Sequence, residues 1–561
     1  MASIARIRKF RRILIYTASL LLALFFLFLI LVDNFVEPIL RDRIHTLIIK
    51  GSDSLYTYKL EKIHANFFGG NVEVENLQIN IDSNRYHLLR KRNVLPPLTM
   101  QLKLDKGEIR GISVVSLLLG KKVKIEEIMS RQADIKLSRH PRVGDQMETD
   151  VPLWKSIQPE IEGIYVKRIK LDGIKLLYRN ADTSESVKLQ FDRCDALFEN
   201  IAVDSSSAND TSRIGFTKDI FLKFHDLKFR TQDSSYKMKA EWITYSSRNK
   251  TFEVDSFKLQ PTLEKEDFYR TAARQASLYY IEFAKVRFEN LHIDRYLHHN
   301  RIEADNIIFE APDLSIYNDR TLPPDTESKV GKYPHQKLLQ SDERIIVKNI
   351  QFNKGKVRYT EKNARTQQEG DLFFHNLRFD ARNITNDPAL IKKNPIFLAN
   401  AQGNILGAGQ VNVQFRFFLD SLEGQYEARG SVKNISAREL NPLARALANV
   451  NLNSMNIHSL DFLVKGEDFE ARSDVNMKYN NLSIALMKID EETGARTTKG
   501  FLTRVLNKFV IWPENPGADG VERTAKGARV TRLSSQSFFG MLWKAIFAGM
   551  QDLMMKSGRY Q

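Results

Sequence analysis

Cysteine is all but absent: Cys194 stands alone in 561 residues. An intramolecular disulfide framework is excluded, and so is a zinc site built on paired cysteines. The loops that carry familiar chemistry are missing too. No Gly-x-x-x-x-Gly-Lys-Ser/Thr stretch cradles a phosphate, no His-Glu-x-x-His marks a zinc helix, and no Gly-x-Ser-x-Gly presents a nucleophile. Gly407-Ala-Gly409 is too short for a dinucleotide loop and falls between strands. Acids are scattered singly. The densest titratable group is His292, Asp294, His298 and His299, which reads as a solvated turn. No catalytic residue, metal ligand or cofactor is expected.

A concentrated basic stripe is also lacking. Arg6, Arg8, Lys9, Arg11 and Arg12 supply five of the +16 formal charges, and beyond them acids and bases interleave. A nucleic-acid binder concentrates its charge on one face, so nucleic acid is not an expected partner.

After the basic start comes a run of twenty uncharged residues, Ile13 to Val32. At 1.5 Å per residue it can cross a hydrocarbon core of roughly 30 Å. Ile13, Leu21, Phe25 and Leu29 mark it as a membrane anchor. The basic residues place its N-terminus on the cytoplasmic side. No small-x-small cleavage site comes after it, which favours an anchor over the alternative, a cleaved signal peptide. Val36 to Lys50 has the spacing of an amphipathic helix, with Pro38 in its first turn and Gly51 at its stop.

The body is organised by a recurring six-residue phrase: apolar, any, Asn or Asp, Leu or Ile, any, apolar. It reads Val74 to Ile79 around Asn76, then recurs around Asn200, Asp226, Asn290, Asn306, Asn349 and Asn376, with looser copies around Gly173 and Asn481. On either side the apolar residues alternate with period two, the mark of a strand with one greasy face. Across the centre the phase slips by one residue. A β-bulge at a residue that tolerates left-handed backbone would absorb that slip and keep the apolar face continuous. A short turn between two strands is the alternative.

Helical patterns interrupt the strands at Val114–Leu119, Leu153–Glu162, Glu264–Leu278 and Ser436–Val450. Loop composition marks Thr321–Leu339 and Asp387–Pro395. The tail changes to helix over Phe501–Val510 and Ser537–Met555. In the last helix Phe538, Phe539, Leu542, Trp543 and Phe547 make a dense apolar set, able to cap the sheet or to meet a membrane or partner.

The expected fold is therefore mainly β with helical insertions: a long, curved, twisted antiparallel sheet, with an N-terminal transmembrane helix and C-terminal amphipathic helices. The expected division is a basic segment at 1–12, an anchor at 13–32, a repetitive β region at 33–392, a C-terminal β domain at 393–490 and a helical tail at 491–561. A one-sided sheet must bury its apolar face. With few helices to cover it, the sheet curls into a β-groove, or taco-like trough. Phe191, Phe224, Phe229, Phe352, Phe415 and Phe417 are its candidate lining.

Several stretches carry a family likeness. The run from Phe67-Phe68-Gly69-Gly70 through Asn76-Leu77 and the segment Ala311-Pro312-Asp313-Leu314 are two of them. Near the end, Asn434-Ile435, Leu440-Asn441-Pro442-Leu443 and Asn481-Leu482 stand in the family's order. So do Phe501 to Phe509 and Phe538 to Lys544. The chain resembles the AsmA-like family of bacterial envelope proteins, the Bacteroidetes versions above all, with TamB-, YhdP- and domain-of-unknown-function-748-type relatives. The resemblance implies a bridge-like lipid carrier in the inner membrane with a periplasmic body and no catalytic residues. Its partners would be phospholipid or similar lipid and other envelope proteins. A non-catalytic scaffold for outer-membrane protein assembly is the alternative.

Overall fold

The computed structural model describes residues 45, 48–49, 52–66, 69–92, 95, 98–113, 122–140, 162–180, 187–207, 210, 212–214, 216–231, 233–489 and 496–556. The expected anchor with Ile13, Leu21, Phe25 and Leu29 lies outside them. So do most of the amphipathic stretch after it and the helical patterns at 114–119 and 153–161. Among the described residues no helix is long and apolar enough to cross a membrane.

The protein is mainly β and forms two compact units, residues 1–230 with 243–248 and residues 231–242 with 249–561. In the first unit, β1 (Tyr56–Asn66), β2 (Asn71–Ile81), β3 (Leu98–Arg110), β4 (Lys122–Arg139), β5 (Gly163–Asn180), β6 (Val187–Val203) and β7 (Asp219–Arg230) pair in chain order. The residues of β8 (Tyr236–Ser246) are shared between the units.

In the second unit β9 (Thr251–Pro261) pairs with β10 (Ser277–Glu289). Two short strands, β11 (Arg301–Glu310) and β12 (Asp313–Asp319), lie end to end between β10 and β13 (Arg344–Lys362). Then β14 (Glu369–Thr385), β15 (Ile396–Ile405), β16 (Gly409–Phe418), β17 (Tyr426–Ser436), β18 (Val450–Gly466) and β19 (Glu470–Ile489) pair in order. Two strands pair on β19: β20 (Arg496–Thr498) and β21 (Thr524–Thr531).

The purely antiparallel expectation is corrected. β4 pairs with β5 in parallel, and β13 pairs in parallel with both β11 and β12. Alternation in sequence reports which face a residue takes and carries no strand direction. The long connections before β5 and β13 are the crossovers that parallel neighbours require.

The repeated phrase does mark left-handed backbone. Asn76, Asn200, Asp226, Asn290, Asn376 and Asn481 have φ between 51° and 56°, and Gly173 has φ 70°. Asn306 and Asn349 do not. They face each other across the parallel pair, and Asn349 Nδ2 donates to Asn306 Oδ1 at 3.0 Å.

At Gly173, Asn376 and Asn481 the pairing carries the expected inserted residue, whereas at Asn76, Asn200 and Asp226 no residue is inserted. Pairing on both sides of Asn76 keeps a single register. Instead the breaks line up across strands. In the first unit one row joins Asn76, Asp105, Gln132 (φ 54°) and Gly173, and a second, six residues away along each strand, joins Gly70, Gly111, Glu126 and Lys167 and reaches Asn200. In the second unit Ser256, Ala284, Ala311 and Lys354 make one row, and Lys250, Asn290, Asp305, Lys348 and Asn383 the other. When every strand changes phase at the same level, nothing has to be inserted. True register shifts occur where neighbours break unequally, as at Phe352–Val357 in β13 and Leu171–Leu176 in β5.

These rows make a checkable claim. Asn290→Val should destabilise the protein by about 1–2 kcal/mol, because a β-branched side chain resists positive φ, whereas Asn290→Gly should be nearly neutral. Urea midpoints of the two variants against wild type measure it. Equal effects would contradict the claim.

Among the described residues eight helices punctuate the strands. α1 (Ser83–Lys91) was not foreseen; Asp82 caps it by accepting from Arg85 N at 2.8 Å. α2 (Lys265–Thr271) stops earlier than its pattern suggests, where Ala272 turns extended. α3 (Ile293–His299) occupies the stretch read as a solvated turn, and α4 (Pro334–Leu339) and α5 (Pro388–Lys393) sit in segments read as loops. α6 (Ala437–Leu443) and α7 (Gly500–Val505) each run on into a π turn. α8 (Phe538–Met554) matches its expected span and is capped by Ser537.

Candidate functional site: an apolar sheet face

The two faces of each sheet separate by chemistry. In the first unit one face carries a chain of ion pairs across strands. Glu73 pairs with Lys106, Lys106 with Glu108, Glu108 with Arg110, Arg110 with Glu127, Glu127 with Arg168, Arg168 with Glu199 and Glu199 with Arg248. Exposed pairs add little stability each. Their consequence is that this face stays wet and the opposite face is left to apolar groups.

That opposite face gathers Ala133, Ile174, Phe191, Cys194 and Ala196, with Leu102, Leu104, Leu171, Phe198, Leu222 and Phe224 only partly buried around them. Phe191 and Phe224 meet edge to face at 5.0 Å. Phe229 lies further along β7, opposite Leu189. The Cys194 thiol is pushed up to about 12 by burial and by Asp195, so it stays protonated.

In the second unit the apolar face carries a ladder of rings, one from each of five neighbouring strands. Phe257 and Phe283 stack at 4.6 Å, Phe283 meets Phe309 at 5.6 Å, Phe309 meets Phe352 at 5.3 Å, and Phe352 meets Phe379 at 4.7 Å. All five are half-buried. A depression of about 670 Å³ across the neighbouring strands is lined mainly by polar and charged residues, among them Arg378, Asp380, Asn400, Gln414, Arg429 and Asp461. The register Asp380–Asn400–Gln414–Arg429 sets it chiefly on the polar face, opposite Phe379 and Ala401. Of this ladder only Phe352 was named from sequence. A signal was present: Phe309, Phe352 and Phe379 each close a copy of the six-residue phrase. Phe257 and Phe283 needed the strand register, which composition does not carry.

Phe415 and Phe417 have a different setting. They stack at 5.9 Å and are covered by Phe538, which lies 5.5 Å from Phe417 and 4.9 Å from Tyr426. Here the face is filled by the protein's own rings and sealed by α8. Phe538 and Leu542 are buried, whereas Phe539, Trp543 and Phe547 are exposed. The five tail residues therefore split between two opposite sides of one helix.

Beneath this cap lies a polar node that sequence reading missed. Arg532 and Asp468 form a buried ion pair at 3.0 Å, and the Arg532 guanidinium lies 4.1 Å from the centre of the Tyr333 ring. Asp468 also accepts from Gly331 N at 3.0 Å and from Gln336 Nε2 at 2.7 Å. His335 is fully buried and stacked 4.9 Å from Phe417, and the Gly424 backbone is the hydrogen-bonding group beside its ring. Burial holds its pKa down at about 4 against the pull of Asp468, so it is neutral at pH 7. Burial likewise pushes the Tyr333 hydroxyl up to about 12 and Tyr426 higher still.

Among the described residues no three His, Cys, Asp or Glu side chains converge as metal ligands. His292 and Asp294 stand 3.8 Å apart at the start of α3, and burial lowers the His292 pKa. What the arrangement offers is apolar area: a sheet face whose row of rings is only partly covered. Comparison with family models and with curated protein sequences gives no match.

Proposed function

We propose that the chain is a membrane-anchored periplasmic protein that binds lipid along the apolar face of its sheet. In this reading it is a bridge-like lipid carrier of the AsmA-like kind and contributes to outer-membrane lipid homeostasis. The observation that carries it is the ladder Phe257–Phe283–Phe309–Phe352–Phe379, five rings in a row that are only partly buried. Covering such a face with acyl chains recovers roughly 0.8 kcal/mol per buried CH₂. The aligned rows, each with three left-handed residues, would bend the sheet into a trough around those chains. The run Ile13 to Val32 would hold the N-terminus in the inner membrane with the basic end cytoplasmic.

One observation favours the second reading, a non-catalytic scaffold or assembly factor for outer-membrane proteins. At Phe415 and Phe417 the apolar face is closed by Phe538, which leaves no room for a chain there. Native mass spectrometry of the protein released from membranes separates the two. The lipid-binding reading expects copurifying phospholipid, reduced several-fold in Phe309→Glu with the fold retained. A lipid-free wild type bound to a stoichiometric protein partner would leave the scaffold.

A further inference from the structure

α8 carries only two charges, Lys544 and Asp552, in 17 residues. A helix apolar on all sides is normally covered on all sides. One side is covered: Met541, Ala545 and Leu553 are fully buried where the helix packs on β19 and β21. The other is bare. Phe539, Trp543 and Phe547, four residues apart, are 66%, 53% and 41% exposed, and Leu533, in the turn leading into the helix, is 65% exposed. Trp543 and Phe547 stack at 6.1 Å. An aromatic stripe of this kind in water is unfavourable unless something meets it.

The charge around it narrows the choice of partner. Between residues 496 and 556 there are ten Lys and Arg against four Asp and Glu. Arg523, Arg529 and Arg532 are held in ion pairs with Asp519, Glu470 and Asp468, so the cations beside the stripe are Lys544 and Lys556. Lys544 sits next to Trp543, with its Nζ on the Thr531 carbonyl at 2.7 Å. Lys556 stands just past the end of the helix, with its Nζ on the Lys508 carbonyl at 2.6 Å. Rings at headgroup depth flanked by cations are the pattern that settles on negatively charged lipid.

We propose that the Phe539–Trp543–Phe547 face of α8 docks on the surface of an anionic phospholipid bilayer. The inference goes beyond the lipid-binding reading, because a contact made by this helix asks nothing of the apolar sheet face. Copurified lipid reports on that face, and vesicle capture reports on the helix, so either can fail alone.

The test uses full-length protein in phosphatidylcholine nanodiscs, immobilised through the nanodisc scaffold, and measures capture of added vesicles. Wild type should retain vesicles containing phosphatidylglycerol and retain pure phosphatidylcholine vesicles far less. The double variant Trp543→Ser with Phe547→Ser should lose roughly tenfold in capture, since interfacial binding scales with buried apolar area. Its melting temperature should stay at the wild-type value, because both side chains are exposed. Phe539→Ser, on the same side, should lose capture in the same direction. Equal capture by the double variant, equal capture of the two vesicle types, or a wild-type dimer that the substitutions dissolve would each overturn the proposal.

Discussion

Arg532→Met should cost about 3–5 kcal/mol of stability, the usual penalty for stranding one charge of a buried pair. The Arg532 side chain is 1% exposed and that of Asp468 8%. Removing the guanidinium leaves the Asp468 carboxylate with two neutral donors, Gly331 N and Gln336 Nε2, in a site closed to water. It also removes the donors to the carbonyls of Lys329 and Gln536, which tie the segment before α4 and the start of α8 to the strand ends. The double variant Asp468→Asn with Arg532→Met should recover part of the loss, because it strands no charge. Guanidinium denaturation of the wild type, the single variant and the double variant measures all three. A single variant within about 1 kcal/mol of wild type, on the scale set for broken buried pairs, would show that the node is not structural.

His335 gives the second large effect, and it depends on pH. Its pKa in the folded state, held at about 4 by burial, lies below the 6.5 of a freely hydrated imidazole. Above 6.5 both the folded and the unfolded chain carry it neutral, and its contribution is constant. As pH falls from 6.5 toward 4 the unfolded chain takes a proton that the folded chain refuses, so stability declines across that window. The full loss is about 3 kcal/mol at roughly 1.36 kcal/mol per pKa unit. His335→Leu should change stability little at pH 7, because the imidazole is neutral there and an apolar side chain suits its buried place against Phe417, and should remove this part of the acid sensitivity. Melting temperatures of both proteins from pH 7 to pH 4 decide it, and parallel curves would refute it.

The ease of reading this chain tracked the range of the interaction. Left-handed positions were legible because Asn, Asp and Gly tolerate them locally, and Asn76, Asn200, Asp226 and Asn290 were marked that way. Their alignment into transverse rows was not, since Gln132, Ser256 and Lys354 bear no such signature and take their conformation from the strand beside them. Strand direction at β5 and β13 was hidden for the same reason. α8 was legible from its apolar density, but which of its residues face water depended on β19 and β21. The Arg532–Asp468–His335 node joins residues far apart along the chain, and no local pattern announces it. At the candidate site, Phe352 was found as a member of a phrase, and Phe257 and Phe283 joined it only through register.

Site-specific photocrosslinking in membranes is the most direct test of the lipid-binding face. A photoreactive phenylalanine at position 283, 309 or 352 should form adducts with phospholipid, and the same probe at 253 or 287, on the ion-paired face, should not. Lipid adducts at both sets of positions, or at neither, would contradict the claim that acyl chains lie along the ring ladder.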